Sequence, residues 1–219
     1  MIRPLRALPA VLALLAAACS GQCGARGGLP PVRPPLVQAP DGQKYYLLDR
    51  GPYQAFYDRW GHLQRIEYDS NKDGRPDQVA HHRGEHHARL LEVDEDFDGR
   101  MDRWEDYDAD GKLVKIGASR HGRGPDVWVY PGPDGQPRRK EYDEDGDGRV
   151  DRAEELVAGR VVRVELDTDR DGRMDRWQEW PEGRLTEERI DTNADGRPDR
   201  RLRYGAHGEV VGLEPVAGR

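Results

Sequence analysis

Large apolar side chains are scarce in this sequence. Hydrophobic residues make up 35% of the 219, only two of them Phe, so burial has to be spread out or helped by something besides apolar packing. Lys and Arg number 35 against 42 Asp and Glu, a net charge of −7. That deficit removes nucleic acid as a default partner, because phosphate binding rests on an excess of basic residues. None of the GxSxG, HExxH, P-loop or GxGxxG motifs occurs, and the chain is expected to be no enzyme and to hold no catalytic residues. Acid pairs abound, but the loops described below give them a more economical use as ligands than as glycosidase acid and base, so a hydrolase is the last of the readings. Charge at 35% would by itself mean disorder, yet 5 Trp and 9 Tyr recurring at regular intervals argue for ordered repeats.

The first eighteen residues read as an address. Arg3 and Arg6 precede an apolar stretch that ends in Leu15, Ala16, Ala17, Ala18 and Cys19, too short for a membrane span and suited to a signal peptide over residues 1–18. Small residues directly before a Cys resemble the bacterial lipoprotein signal, with Ala16 where Leu is more usual. The resemblance implies lipidation of Cys19 and a lipid-anchored place in the bacterial cell envelope, at the outer membrane or cell surface; the alternative is ordinary signal cleavage and a soluble secreted protein. Once Cys19 is lipidated, Cys23 has no intramolecular partner and no disulfide framework exists. Residues 19–43 are rich in Gly and Pro and are expected to form a lipid-anchored tether.

Internal repeats dominate the remainder. The strings DSNKDGRPD, DEDFDGRMD, DEDGDGRVD, DTDRDGRMD and DTNADGRPD are one motif, ending at Asp77, Asp102, Asp151, Asp175 and Asp199. A weak copy ends at Asp126, and DRGPY at Tyr53 is a further copy without the acids. Residues 44–219 therefore divide into seven units of ~24 residues. Each unit holds a second turn centred on Gly61, Gly84, Gly111, Gly135, Gly159, Gly183 or Gly208. Two turns per unit leave segments of about seven residues, which is strand length. Two positions after each motif lie Val79, Trp104, Trp128, Ala153, Trp177 and Leu202, flanked by polar residues. That alternation marks a strand with one buried face. The expected fold is all-β: tandem β-hairpin repeats forming an elongated curved sheet or β-solenoid, with calcium loops along one edge. Trp104, Trp128 and Trp177 are expected in the core, with a carbohydrate-stacking row of exposed rings as the alternative.

In DEDFDGRMD, carboxylates occupy positions 1, 3, 5 and 9 and a Gly follows the third acid. Hard oxygen donors around a Gly-permitted bend are Ca²⁺ chemistry, since that ion takes six to eight oxygens. The DxDxDGxxD pattern resembles the start of the EF-hand loop, the thrombospondin type 3 repeat and the calcium loops of integrin-type propeller blades, over roughly a fifth of the chain. The resemblance implies about five Ca²⁺ ions. Carried over by position, their ligands are Asp69, Asn71, Asp73 and Asp77; Asp94, Asp96, Asp98 and Asp102; Asp143, Asp145, Asp147 and Asp151; Asp167, Asp169, Asp171 and Asp175; and Asp191, Asn193, Asp195 and Asp199. The twelfth-position Glu of EF-hands is matched only by Glu105 and Glu154. Helical EF-hand pairs are excluded, because twelve residues including Pro181 and Gly183 separate Gln178 from Asp191. The loop near Gly122 has lost its acids and is expected to bind no cation. His81, His82, His86 and His87 surround one hairpin turn and could hold a transition metal such as Zn²⁺, the alternative being an exposed polar tip.

The expected function is a cell-envelope, calcium-binding repeat lipoprotein with a structural or adhesive role, attached to membrane through its lipid and meeting a protein or polysaccharide partner. A calcium-responsive sensor is the alternative.

Overall fold

The computed structural model describes residues 34–39, 42–84, 86–120, 122 and 124–216. The expected signal peptide, Cys19, Cys23 and most of the expected tether lie outside these residues. The chain is all-β, a single antiparallel sheet of sixteen strands whose spatial order is their order along the chain. The strands are β1 (Leu36–Gln38), β2 (Lys44–Arg50), β3 (Tyr53–Tyr57), β4 (Leu63–Tyr68), β5 (Gln78–His81), β6 (Leu90–Val93), β7 (Arg103–Tyr107) and β8 (Leu113–Ala118). They continue as β9 (Val127–Pro131), β10 (Pro137–Tyr142), β11 (Arg152–Val157), β12 (Arg160–Leu166), β13 (Arg176–Glu179), β14 (Glu187–Ile190), β15 (Arg200–Tyr204) and β16 (Val210–Pro215). The one helical piece among the described residues is a 3₁₀ turn over Pro181–Gly183, and no helix there is long and apolar enough to cross a membrane.

Every strand pairs only with its neighbours in sequence, which is the pattern of a ribbon. Short turns force this arrangement, since an antiparallel hairpin needs only a tight turn whereas a parallel pair needs a long crossover. Acidic loops and Gly turns alternate along the chain, so they collect on opposite edges of the sheet. At five Gly turns the register slips by one residue where the strand leaves the turn, a bulge that sharpens the local twist. Strand β1 lies within the segment expected to be tether. Its Leu36 and Gln38 pair with Tyr46 and Lys44, and Ala39 beside it is buried.

Among the described residues no second layer covers either face, and no large side chain is fully buried. One face carries the apolar cluster: Ile66, Ala80, Leu91 and Val93, with Tyr53, Ala55, Leu63 and Tyr107 packed against it. Tyr53 and Tyr68 stack on this face with centroids 4.4 Å apart. The registers Glu92↔Trp104↔Gly117↔Trp128↔Glu141 and Glu165↔Trp177↔Arg189 put the Trp column on the opposite face. The expectation of a Trp core is corrected accordingly: these rings are half-buried among charged side chains, and the Trp104 indole N–H donates to Glu92 at 3.1 Å. On that same face an unbroken chain of ion pairs runs from β10 to β16, through Arg139, Glu155, Arg163, Glu179, Arg189, Glu187, Arg201 and Glu214. Exposed pairs are individually worth ~0–1 kcal/mol, and their contribution here comes from being linked.

Candidate metal centre

Each acidic loop is closed by its own backbone. The N–H of the last Asp bonds the carbonyl just before the first: Asp77 to Tyr68, Asp102 to Val93, Asp151 to Tyr142, Asp175 to Leu166 and Asp199 to Ile190, at 2.8–2.9 Å. The first Asp then folds the loop around its carboxylate. Asp143 accepts from the N–H of Gly146 at 2.6 Å and of Gly148 at 2.9 Å, and Asp69, Asp94 and Asp167 repeat both bonds. Asp191 keeps the bond to the later Gly, Gly196, at 2.6 Å. The last Asp turns back to the second residue, as when Asp151 accepts from Glu144 and Asp175 from the N–H and hydroxyl of Thr168. Gly is required at position six. Its φ is +88° at Gly99 and +90° at Gly172, where a Cβ would meet the guanidinium of Arg75 or the side chain of Arg149 from the preceding acidic loop.

This fold brings three carboxylates together in three loops. In the groups Asp94, Asp96 and Asp102; Asp143, Asp145 and Asp151; and Asp167, Asp169 and Asp175, one oxygen from each residue lies within 4.8 Å of the others, so each group could hold a metal ion. The position-five acids lie outside these groups. Asp73, Asp98, Asp147, Asp171 and Asp195 instead cap the N–H two residues on, at 2.8–2.9 Å. In the two loops with Asn at position three, Asn71 and Asn193 donate to Asp73 and Asp195, which leaves two carboxylates, Asp69 with Asp77 and Asp191 with Asp199. Glu105 and Glu154 are not drawn to the loops. They stay on strands, where Glu105 accepts from the Tyr107 hydroxyl and pairs with Arg103, and Glu154 does the same with Tyr142 and Arg152.

The loop over 167–175 shows the electrostatic cost of gathering acids. Asp175 Oδ1 is buried and has no hydrogen-bond partner. The Asp171 N–H bonded to Asp169 acts to lower that carboxyl's pKa, but desolvation, the charges of Asp171 and Asp175 and a hydrogen bond with Asp167 leave it above the ordinary carboxylate value. A cavity of about 20 Å³ opens there, lined by Asp169, Asp171, Arg173 and Asp175 of one loop and Asp191 of the next. In the last loop the Thr192 hydroxyl and N–H hold Asp199 below the ordinary value.

The degenerate loop has a different occupant. Ser119 stands where the first Asp stands elsewhere, accepting from the Gly122 N–H at 2.8 Å, and the loop is one residue shorter. Asp126 keeps the role of the last Asp by accepting from the Arg120 N–H. The Arg120 guanidinium lies against that carboxylate at 3.1 Å and donates to the Asp143 carbonyl at 3.0 Å. Sequence reading placed the weak copy but missed both Ser119 and Arg120; counting forward from β8 instead of back from Asp126 would have aligned the serine.

The four His do not gather. His81 is bonded to Glu92 at 2.8 Å across the hairpin, the backbone N–H of His82 donates to Gln64, and the His87 ring lies beside Gly111 of the next hairpin. Among the described residues the only groups of three potential ligands are the Asp groups above.

No protein-family model matches the chain, and no curated protein matches it. Similar solved structures include S. aureus TarM in complex with fondaparinux, alpha-GlcNAc-glycerol and UDP, at 10% identity over 53% of this chain and 20% of that one, with a TM-score of 0.30. A GtfA/B complex bound to UDP and GlcNAc is 17% identical over 68% of this chain and 31% of that one, with a TM-score of 0.27. The chain spans between a fifth and a third of the length of these structures.

Proposed function

We propose that the chain is a calcium-binding repeat lipoprotein of the bacterial cell envelope, anchored through Cys19, with a structural or adhesive role toward a protein or polysaccharide partner. The observation that carries the metal reading is the ion-sized cavity between the loops over 167–175 and 191–199. Its lining holds four acids beside Arg173 and Met174, and one of the acids, Asp175, has a buried oxygen lacking a hydrogen-bond partner. An unsatisfied buried carboxylate oxygen is costly, and a cation is the partner it lacks. Oxygen-only donors select hard ions, which favours Ca²⁺ over the transition metals. The residues that would hold it are the first, third and last acids of each loop, with Asn71 and Asn193 at the third position in the two outer ones; bound there, the ion would neutralise the loop and brace it.

A sensor role has one specific observation in its favour. The N–H opening each loop bonds the carbonyl of the Asp ending the previous one: Asp94 to Asp77, Ser119 to Asp102, Asp143 to Asp126, Asp167 to Asp151 and Asp191 to Asp175, at 2.8–3.0 Å. Ordering one loop therefore positions the next, so occupancy would spread along the edge. Calorimetric titration of the metal-stripped protein with Ca²⁺, alongside circular dichroism melts with and without chelator, tests both roles. A scaffold gives saturation at external Ca²⁺ levels, and a sensor gives a cooperative transition within the range its surroundings traverse. Absence of heat together with an unchanged melt ends the calcium reading.

A further inference from the structure

The turn between β3 and β4 carries an aromatic that the fold does not use. Four Gly turns share one backbone closure. The N–H of Asp58, Asp108, Gly132 and Gly205 bonds the carbonyl of His62, Lys112, Gln136 and Glu209, and the Gly N–H returns to the first residue. The residue before that Gly is Asp110, Asp134 or His207 in three of these turns and Trp60 in the fourth. The turn accepts polar side chains at this position, so nothing in its geometry calls for an indole. Trp60 is 63% exposed.

The ring stands at a cleft of about 370 Å³, lined by Gln43, Lys44, Tyr45, Asp58, Arg59 and Gln64. Arg59 lies over one face of the indole at 4.0 Å, which fixes the ring. Asp58 is spoken for: it accepts from the N–H groups of Trp60 and His62 at 2.9 Å and pairs with the His62 ring at 3.1 Å. Its carboxylate keeps its negative charge, so with Lys44 and Arg59 the cleft carries one net positive charge. In a chain of net charge −7, on the edge opposite the acidic loops, that is a local reversal of sign.

We propose that this cleft binds an anionic saccharide, a uronate-type sugar whose ring packs on the Trp60 indole and whose carboxylate meets Lys44 and Arg59. A pyranose presents a flat face of C–H groups and a rim of hydroxyls, which suits an exposed indole bordered by the amides of Gln43 and Gln64. The carboxylate accounts for the two cations, which a neutral sugar would leave unused. The site lies in the first unit, away from the three Asp groups, and stands without the calcium reading.

The test is titration of the full-length chain, in detergent and saturating Ca²⁺, with short oligogalacturonate, a neutral glucan oligosaccharide of equal length and polyglutamate, followed by calorimetry and tryptophan fluorescence. The expected result is saturable oligogalacturonate binding with a fluorescence change, at least tenfold weaker for the neutral sugar. Trp60→Ala should lose at least tenfold with an unchanged melting temperature, Trp60→Phe should keep most of the binding, and Arg59→Gln should lose threefold or more. No binding, equal binding by Trp60→Ala, or equal binding of polyglutamate would overturn the proposal. If Asp145→Asn alters the Ca²⁺ titration and leaves oligogalacturonate binding intact, the two sites are separate, as proposed.

Discussion

The loops over 119–126 and 143–151 sit side by side on one edge of the sheet and share a frame, yet they solve the same electrostatic problem in opposite ways. In both, the last Asp bonds back to the second residue, and in both it is buried. Around Asp151 stand two more carboxylates, Asp143 and Asp145, and the Arg170 guanidinium of the next acidic loop pairs with Asp145 at 3.5 Å instead of with the last Asp. Around Asp126 there is a serine in place of the first acid, and Arg120 lies on the carboxylate. The loop backbone therefore does not depend on the acids at positions one and three; a hydroxyl can close it. Those acids are an addition to the frame, and in the loop over 119–126, which lacks them, the protein supplies its own cation to the last Asp.

The comparison breaks most sharply under chelation. On the proposed reading, at tenfold excess over Kd each Ca²⁺ would stabilise by ~1.4 kcal/mol, so five independent sites would contribute ~7 kcal/mol, on the scale of a domain's whole stability. Chelator is expected to lower the melting temperature strongly and to speed amide exchange in the acid-rich loops more than at 119–126; uniform exchange would remove the distinction. Next in size is Arg120→Ala, which leaves the buried Asp126 without its guanidinium and should cost ~1–3 kcal/mol equally with Ca²⁺ and with chelator. A loss seen only with Ca²⁺ would contradict the built-in cation. Asp145→Asn keeps the side-chain oxygen that accepts from the Asp147 N–H but removes the charge. It should cost about one site's ~1.4 kcal/mol more with Ca²⁺ than with chelator, where only the partly exposed Arg170 pair, worth ~0–1 kcal/mol, is lost. Asp169→Asn should likewise exceed Asp171→Asn, because only the former lies in an Asp group; the reverse order in paired melts would move the ligand set outward.

The smallest expected effect lies on the strands. The His81 ring, against the opposing cost of burial, together with the Trp104 indole holds Glu92 below its ordinary value of 4.5. A carboxylate with a lowered folded-state pKa contributes stability that is present above the unfolded value and lost as pH falls through the folded one. Glu92→Gln should therefore flatten the acid limb of the stability curve below about pH 4.5 without altering the Ca²⁺ titration. Urea melts between pH 3 and 7 would show it.

Much of this was legible in the residues. The repeat, both turn series and the 1, 3, 5, 9 acid register follow from spacing alone, since Gly, Pro and Asp dictate turns locally. The faces were not legible. Columns such as Trp104 and Tyr142 both read as apolar, and only the cross-strand register, fixed by how each turn closes, shows that they point to opposite sides. The ion-pair chain from Arg139 to Glu214 was hidden for the same reason, most of its partners standing on different strands. Strand β1 was missed because Pro34 and Pro35 precede it and give its segment the composition of a spacer. Position five is a ligand by resemblance alone; Asp98 and Asp171 lie outside the Asp groups and accept from the N–H two residues on.

Among the described residues each strand touches only the strands before and after it, and no second layer is folded over them. Tension applied between the two end strands, some ~70 Å apart at the usual strand spacing, meets no shared core that must rupture at once. It meets fifteen ladders in series, each parted by peeling. A tether built this way yields stepwise at low force and re-zips from whichever hairpins remain, so the same open sheet that makes the chain thin-cored makes it an extensible link.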